Sequence, residues 1–186
     1  RIPIYVLILL FGLPLHIGIK YYKVMTVPPL LSIVIPVFNE EHNIDLLIES
    51  IEKELSNYSY ELIFIDDFST DGTRKVIETH SNPHRVLIAF ECNKGQSSAL
   101  AAGIKYACGQ YIATMDGDLQ NDPSDIPKML YLIQNEGWDM VIGYRKNRQD
   151  PVLKTIPSKI ANFMIRTTTQ LSVRDSGCAL KVMTSK

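Results

Sequence analysis

The stretch LLSIVIPV, residues 30–37, decides the fold class, because every side chain in it except Ser32 is apolar and four are β-branched. An apolar run without alternation is typical of a parallel strand that helices cover on both faces. The stretch EEHNIDLLIESIEKEL, residues 40–55, follows at once, and its apolar residues recur with the spacing of a helix. Together they predict a strand–helix unit of an α/β sheet.

The same alternation continues along the chain. Further strands are predicted at residues 60–66, 85–90, 110–115 and 138–144, and further helices at 73–80, 97–108 and 123–136. The small residues of the helix at 97–108 would let it lie close to the sheet. Strands that alternate with helices in this way predict a doubly wound, mostly parallel α/β sheet.

The first 23 residues differ from the rest in composition. Residues 2–19 contain no formally charged side chain, and eighteen helical residues would span about 27 Å, close to the thickness of a bilayer core. Lys20 and Lys23 follow, as expected at a cytoplasmic interface. We therefore predict a membrane helix over 1–23, a linker over 24–30 and a folded α/β domain over 31–186. A re-entrant or interfacial helix and half of a hydrophobic hairpin are the alternatives. A secretory signal is disfavoured because no cleavage site follows.

Composition excludes some classes of protein. The 186 residues are 46% apolar, enough for one sizeable core, and the net charge of −1 gives no reason to expect a nucleic-acid partner. Three cysteines without CxxC spacing indicate reduced thiols rather than a zinc site or disulfides. Neither GxGxxG after the first strand nor GxxxxGK[ST] occurs, which disfavours a dinucleotide dehydrogenase and a P-loop NTPase.

The stretch MDGDLQNDP, residues 115–123, places Asp116 and Asp118 directly behind a predicted buried strand. Ligands of open α/β sheets bind at this edge, beyond the carboxyl ends of the strands. Gly117 permits an unusual φ, so both carboxylates could reach one point, where they repel each other unless a cation lies between them. Hard oxygen ligands favour Mg²⁺ or Mn²⁺, and Gln120 could add a carbonyl oxygen. The alternative is a solvated acidic turn.

Other loops at the same edge carry further polar groups. Asp66 and Asp67 end the second strand and could accept hydrogen bonds from a nucleoside, although a structural role is equally open. Lys94 precedes a helix whose N-terminus attracts anions. Arg145 and Arg148 could neutralise a diphosphate or a phosphate acceptor, or they could be solvated.

Four stretches together resemble family-2 glycosyltransferases, and most of all the branch of dolichol-phosphate mannosyltransferases and other polyprenyl-phosphate glycosyltransferases. They are SIVIPVFNEEHNI, IDDFSTDG, NKGQSSALAAGIKYACGQYIATMDGDLQNDP and GYRKNRQDP. The similarity runs from about residue 31 to the end of the chain, with the motifs in the order of the family.

The resemblance implies a GT-A, Rossmann-like fold and inversion at the anomeric carbon of the transferred sugar. It implies a nucleotide-sugar site at Pro36, Asn39, Glu40, one or both of Asp66 and Asp67, Lys94, Asp116 and Arg148. Mg²⁺ or Mn²⁺ would be held by Asp116, Asp118 and Gln120, and catalysis would rest on Asp118, Arg145 and Asp175. Asp175 lies in RDSGCALK, residues 174–181, which looks like the segment near the acceptor; its alternative is an ordinary turn aspartate.

The resemblance also implies the partners. We expect a UDP- or GDP-linked sugar as donor, a polyprenyl phosphate as acceptor, and a membrane-associated enzyme whose catalytic domain faces the cytoplasm. A phosphate acceptor is already ionised and needs no strong base, whereas the alternative, a glycan or glycolipid hydroxyl, would need a base such as Asp175. A non-catalytic binding module on this fold and a nucleotidyltransferase are weaker alternatives. The oligomeric state stays open, with a homo-oligomer as one option.

Two features bear on the membrane. The segment over residues 151–171 has apolar and basic residues at helical spacing, so it could lie at the headgroup level or be an ordinary packing helix. Members of the polyprenyl-phosphate branch commonly carry membrane helices after the catalytic domain. This sequence ends in KVMTSK, and truncation of the catalytic domain at its C-terminus is therefore an expectation to test.

Overall fold

The structure, a computed structural model, describes residues 17–19, 27–80, 84–144 and 177–185. Within these ranges the chain forms seven strands and four helices. In chain order they are β1 Ile17–Ile19, β2 Leu31–Val37, α1 Ile44–Glu54, β3 Tyr60–Asp66, α2 Thr73–Thr79, β4 Arg85–Phe90, α3 Gln96–Tyr106, β5 Tyr111–Thr114, α4 Asp125–Glu136, β6 Met140–Ile142 and β7 Lys181–Thr184. The four predicted helices and the first four predicted strands are confirmed, with ends shifted by a few residues.

The strands form one mixed sheet in the order β1-β4-β3-β2-β5-β7-β6. The central strands β4, β3, β2 and β5 are parallel to one another, as predicted. The outer part of the sheet is antiparallel, because β1 pairs with β4 and β7 pairs with both β5 and β6 in that sense. The α/β class is therefore confirmed, and the sheet is parallel only at its centre.

The fifth strand, predicted over residues 138–144, is confirmed as a strand but is shorter than predicted. It covers only Met140–Ile142 and lies at the sheet edge, separated from β5 by β7. Strand β7 pairs Val182 with Ala113 on one side and with Val141 on the other. The sequence reading missed β7, because its pairing depends on two partners that lie about 40 and 70 residues away in the chain.

Helices cover both faces of the central strands. On one face, Ile33, Ile35 and Phe64 pack in a core cluster with buried residues of α1 and α4. On the other face, α3 lies so close to the sheet that a Cβ on Gly103 would come within 2.5 Å of Val34 and Ile65 side-chain atoms. The double coverage explains why β2 is apolar without alternation and why α3 is rich in small residues.

The buried carboxylate of Glu61 links neighbouring segments at the edge of the sheet opposite the loops that follow β2, β3 and β5. Glu61 accepts hydrogen bonds from the Ser32 hydroxyl (2.5 Å) and the Cys108 backbone N–H (3.0 Å), and Ser32 Oγ accepts one from the Gly109 N–H (2.8 Å). Burial, together with the nearby Glu61, raises the pKa of the Cys108 thiol to about 11. Cys108 is therefore protonated at neutral pH and a weak nucleophile.

Most of the expected membrane helix over 1–23 lies outside the described residues. The three residues of it that are described, Ile17–Ile19, form the edge strand β1 instead of a helix and pair with Ile88–Phe90 of β4. Among the residues that the structure describes, no helix is both long enough and apolar enough to cross a membrane. The segment over 151–171 also lies outside the described residues.

Candidate active site

A cavity of about 450 Å³ opens at the carboxyl ends of β2, β3 and β5 and at the start of α3. Open α/β sheets bind their ligands at this position. Its walls include Pro36, Glu40, Asp67, Gln96, Asp116 and Asp118. Five of these six residues are ones that the sequence singled out, and the fold brings them together from four separate segments: the end of β2 with the loop after it, the loop after β3, the start of α3 and the loop after β5.

The loop after β2 is fastened to the loop after β3 by Asn39. Its backbone has a positive φ of 57°, its N–H donates to Ser69 Oγ (2.9 Å), and its Oδ1 accepts from the Thr70 N–H (2.8 Å). Asn39 therefore shapes the rim and does not line the cavity. The next residue, Glu40, lines the cavity, and its carboxylate accepts a hydrogen bond from the Asn43 side chain (2.6 Å).

Asp66 faces the protein interior. Its side chain is fully buried and forms an ion pair with Nε of Arg74, and it accepts the Ser69 N–H at 3.2 Å. Arg74 donates a second hydrogen bond to the Phe90 carbonyl (3.0 Å) and thereby links α2 to β4. The Asp66 carboxylate is thus engaged by the protein itself and is not part of the cavity wall.

Asp67, the adjacent residue, lines the cavity but is also engaged. Its two carboxylate oxygens accept the backbone N–H groups of Lys94 (2.7 Å) and Gly95 (2.8 Å). The sequence predicted that the N-terminus of this helix attracts anions, and the two N–H groups directly before α3 do bind a carboxylate, that of Asp67. The Lys94 ammonium lies 4.9 Å from the centre of the Phe90 ring, outside the cavity wall.

Asp116 and Asp118 both line the cavity from the loop after β5. The Gln96 side-chain amide donates to Asp116 Oδ1 at 2.6 Å, which orients this carboxylate from the first residue of α3. Asp118 Oδ1 accepts the Gln120 N–H at 3.1 Å, and Asn121 Oδ1 accepts the Asp116 N–H at 3.1 Å. The loop therefore holds its two carboxylates toward the same space.

Gly117 has a different role from the one the sequence suggested. The residue with positive φ in this loop is Leu119, at 63°, and Gly117 is not among the positive-φ glycines. A Cβ on Gly117 would lie 2.9 Å from Cγ1 of Val37 and 3.5 Å from Cγ of Glu40. Glycine is needed here because the loop packs tightly on the end of β2, and the expectation of an unusual φ is wrong.

The carboxylates at this site suit a hard divalent cation. Gln120, the third predicted ligand, lines a separate hollow with Leu47 and Asn121 instead of the cavity. Among the described ranges there is no cluster of three or more His, Cys, Asp or Glu side chains that could hold a metal. Mg²⁺ typically takes one or two carboxylates and completes its shell with water and substrate phosphates. Asp116 and Asp118 fit that pattern.

Sequence reasoning missed Phe38, Asn93 and Gln96, which all line the cavity. None of them carries a charge, so none stands out in a search for titratable groups. Gln96 could have been found from its place, because it directly follows Lys94-Gly95 at the predicted helix start. Arg145, Arg148 and Asp175 lie outside the described residues, and their roles stay predictions.

Two curated bacterial enzymes are similar in sequence. Dodecaprenyl-phosphate galacturonate synthase of Rhizobium johnstonii is 43% identical over 159 residues, which cover 82% of this chain and 47% of the enzyme. Undecaprenyl-phosphate 4-deoxy-4-formamido-L-arabinose transferase of Proteus mirabilis is 40% identical over 155 residues, covering 81% and 47%. The chain thus spans about half the length of the curated relatives it matches.

Solved structures show the same fold at low identity. Glucosyl-3-phosphoglycerate synthase from Mycobacterium tuberculosis, in complex with UDP, superposes with a TM-score of 0.66 at 21% identity, over 84% of this chain and 57% of that one. A mannosyltransferase from Pyrobaculum calidifontis, in complex with GDP-Man and Mn²⁺, has a TM-score of 0.61 at 19% identity, over 89% and 48%. These likenesses confirm the expected GT-A glycosyltransferase fold.

The family assignment follows from the sequence together with this fold. The model of the family described as "Glycosyl transferase family 2" matches residues 32–183, which include every described wall residue of the cavity. The chain belongs to glycosyl transferase family 2.

Proposed function

We propose that this chain is the catalytic domain of an inverting, metal-dependent glycosyltransferase that moves a sugar from a UDP- or GDP-linked donor to a polyprenyl phosphate. The observation that carries the proposal is the convergence of Asp116 and Asp118 on a cavity at the carboxyl edge of the sheet. The acceptor class is supported by the two relatives, whose names specify transfer to dodecaprenyl or undecaprenyl phosphate.

In this proposal Asp116 and Asp118 hold Mg²⁺ or Mn²⁺ against the donor diphosphate. When bound, the cation neutralises the charge that develops on the departing nucleoside diphosphate. Other residues of this chain position the two carboxylates. Gln96 orients Asp116 by its 2.6 Å hydrogen bond, and Gly117 lets the loop lie against β2. Arg145 and Arg148 would add positive charge near the phosphates.

The proposed reaction of the acceptor is a direct displacement at the anomeric carbon of the sugar. A phosphate oxygen of the lipid attacks the anomeric carbon from the face opposite the departing diphosphate, so the configuration inverts. Because that oxygen is already ionised at neutral pH, positioning and charge neutralisation carry the catalysis. Asp175 would then orient the acceptor. A lipid acceptor requires the enzyme to work at a membrane, and a cytoplasmic catalytic domain fits the cellular location of nucleotide sugars.

The test is sugar transfer by purified protein in detergent. A panel of labelled UDP- and GDP-sugars is offered with a short polyprenyl phosphate and Mg²⁺ or Mn²⁺, and the label in the lipid extract is counted. Metal-dependent labelling of the lipid, with inverted anomeric configuration and loss in Asp118→Ala, supports the proposal. Nucleotide binding without labelling of the lipid contradicts the acceptor, and labelling of a glycan hydroxyl would put the alternative acceptor in its place.

A further inference from the structure

A second, smaller hollow of about 140 Å³ adjoins the cavity on the far side of Asp116. Gln96 and Asp116 belong to the walls of both, so the two spaces share one boundary. Leu100, Met115 and Lys181 contribute to the rest of its wall. It therefore combines an apolar floor, the metal-binding loop and one ammonium group, and none of the roles described so far uses that ammonium group.

The fold places Lys181 there for a definite reason. Lys181 is the first residue of β7 and pairs with Thr114, the last residue of β5, two positions before Asp116. Side chains alternate along a strand, so Lys181 and Met183 share one face and Val182 takes the other. Met183 packs in the cluster on the α3 side, and Val182 packs in the cluster on the opposite side. Lys181 thus lies on the α3 side, next to Gln96.

Lys181 is half-buried, and no carboxylate within the described ranges lies in ion-pair distance of its ammonium group. The other described lysines that form ion pairs, Lys53 and Lys128, do so at the exposed surface. A half-buried ammonium group that lines a hollow attracts an anion. The position beside the metal-binding loop makes that anion part of a substrate.

We propose that Lys181 binds an oxyanion of a substrate in this hollow, beyond the donor diphosphate. The inference rests on the proposed function, because it takes the main cavity as the nucleotide and metal site. Two groups have the required chemistry: the carboxylate of an acidic sugar on the donor, and the phosphate of the lipid acceptor. Both groups belong to the proposed substrates, and the hollow adjoins the main cavity at Gln96 and Asp116.

The experiment compares Lys181→Met, which keeps length and apolar contacts but removes the charge, with Lys181→Arg, which keeps the charge. Lys105→Met is the matched control, because Lys105 is an exposed lysine in the last turn of α3, at the other end of the helix. Equilibrium binding is measured for the nucleoside diphosphate alone, for the nucleotide-linked hexose and for the nucleotide-linked hexuronate. The KM for polyprenyl phosphate is measured in parallel, and melting temperatures check folding.

We expect Lys181→Met to leave the Kd of the nucleoside diphosphate within twofold. If the anion is a sugar carboxylate, the Kd of the hexuronate donor rises at least tenfold and that of the hexose donor does not. If it is the acceptor phosphate, the KM for polyprenyl phosphate rises at least tenfold instead. In both cases Lys181→Arg recovers most of the loss and Lys105→Met behaves as the wild type.

The proposal is overturned if Lys181→Met folds normally and changes neither the Kd of the hexuronate donor nor the KM for polyprenyl phosphate. It is also overturned if binding of the nucleoside diphosphate alone weakens tenfold, because the ammonium would then serve the diphosphate. Failure of the proposed function has a different signature, namely a wild-type protein that binds nucleotide sugars and transfers nothing to the lipid. In that case the Kd of a short polyprenyl phosphate replaces its KM, so that both arms are read as binding and Lys181 is still tested without turnover.

Discussion

The two strands that flank β2, namely β3 and β5, are each associated with a pair of aspartates at their carboxyl ends, and the two pairs have different surroundings. Asp66 and Asp67, after β3, are 0% and 5% exposed, and their carboxylates accept hydrogen bonds from within the protein. Asp116 and Asp118, after β5, are less buried and line the cavity. The first pair fixes the loops around the site, and the second pair is the one that we propose binds the ligand.

The contrast shows what distinguishes a structural carboxylate from a ligand-binding one. Arg74 and the N–H groups of Ser69, Lys94 and Gly95 satisfy the first pair, so a substrate would have to compete with short internal bonds. In the second pair, the Gln96 side-chain amide orients the Asp116 carboxylate and the Gln120 N–H orients that of Asp118, and both carboxylates also face the cavity. Two oriented carboxylates on one cavity repel each other unless a cation joins them.

The largest effect is expected for Asp118→Ala. Loss of one of two carboxylate ligands removes charge stabilisation worth several kcal/mol at the leaving group, so kcat/KM for sugar transfer should fall about 10³-fold. The free energy of unfolding should change by less than about 1 kcal/mol, because the side chain makes only a local turn contact. Transfer kinetics and urea unfolding check both parts, with Asp125→Ala, an exposed aspartate of α4, as control.

Asp66→Asn should show the reverse pattern. The substitution leaves the Arg74 guanidinium, whose side chain is 36% exposed, without its buried counter-charge, and we expect a loss of about 2–3 kcal/mol in unfolding free energy. Nucleotide affinity of the folded protein should stay within about threefold. The comparison breaks if the variant is as stable as the wild type and binds nucleotide tenfold more weakly. Asp66 would then be a ligand-binding residue like Asp118.

Gly117→Ala tests how closely the metal loop packs on β2. The new Cβ would lie 2.9 Å from Cγ1 of Val37, so either Val37 or the loop must shift, at a cost of about 1–2 kcal/mol. A shift of the loop moves both carboxylates, and transfer should fall about tenfold. Gly137→Ala is the matched control, because Gly137 has a φ of 73° and open space around it. That variant should lose about 1 kcal/mol of stability and keep its activity.

The smallest effect concerns a third aspartate of the same loop, Asp122, which lies three residues before the first residue of α4. The Ser124 N–H donates to its carboxylate at 2.9 Å and holds the pKa of Asp122 below its ordinary value of 3.8. A lowered folded-state pKa gives stability that is present above the unfolded pKa and is lost as the pH falls below it. Because Asp122 is exposed and solvent screens its charge, Asp122→Asn should cost at most about 0.5 kcal/mol at pH 7, and progressively less as the pH falls through about 4 and below.

Urea unfolding at pH 7, 5 and 3 measures the Asp122 difference. A difference between wild type and Asp122→Asn that stays constant over this range, or grows toward acid, would show that the carboxylate charge is not what stabilises the start of α4. Transfer activity at pH 7 should be unchanged by this substitution, which separates Asp122 from Asp116 and Asp118.

Much of the fold could be predicted from the sequence, because the central strands are apolar without alternation and the helices are amphipathic. Those patterns are local, and β2, β3, β4 and all four helices follow from them. Strand β7 could not be predicted in the same way, since Lys181–Thr184 is short and forms a strand only between β5 and β6. An antiparallel insertion of this kind is decided by pairing over long separations in the chain.

The site residues also divide into those that the local sequence predicts and those that depend on contacts with distant parts of the chain. The loop of Asp116 and Asp118 was identifiable because it follows a buried strand at the edge where α/β sheets bind ligands. Two carboxylates there repel each other unless a cation lies between them. The sequence could not separate Asp66 from Asp67, because the deciding donors come from Arg74 in α2 and from Lys94-Gly95 before α3. Gln96 stayed hidden because an amide carries no charge, although its bond to Asp116 is one of the short contacts of the cavity.

The central claim is that Asp116 and Asp118, and not Asp66, hold a divalent cation against a nucleoside diphosphate. The most direct measurement is a calorimetric titration of Mn²⁺ into protein saturated with whichever of UDP and GDP binds, for the wild type, Asp118→Asn and Asp66→Asn. We predict one Mn²⁺ per chain in the wild type and in folded Asp66→Asn, and at least a tenfold weaker site in Asp118→Asn. Unchanged Mn²⁺ affinity in Asp118→Asn, or its loss in Asp66→Asn at a temperature where that variant is folded, would contradict the account.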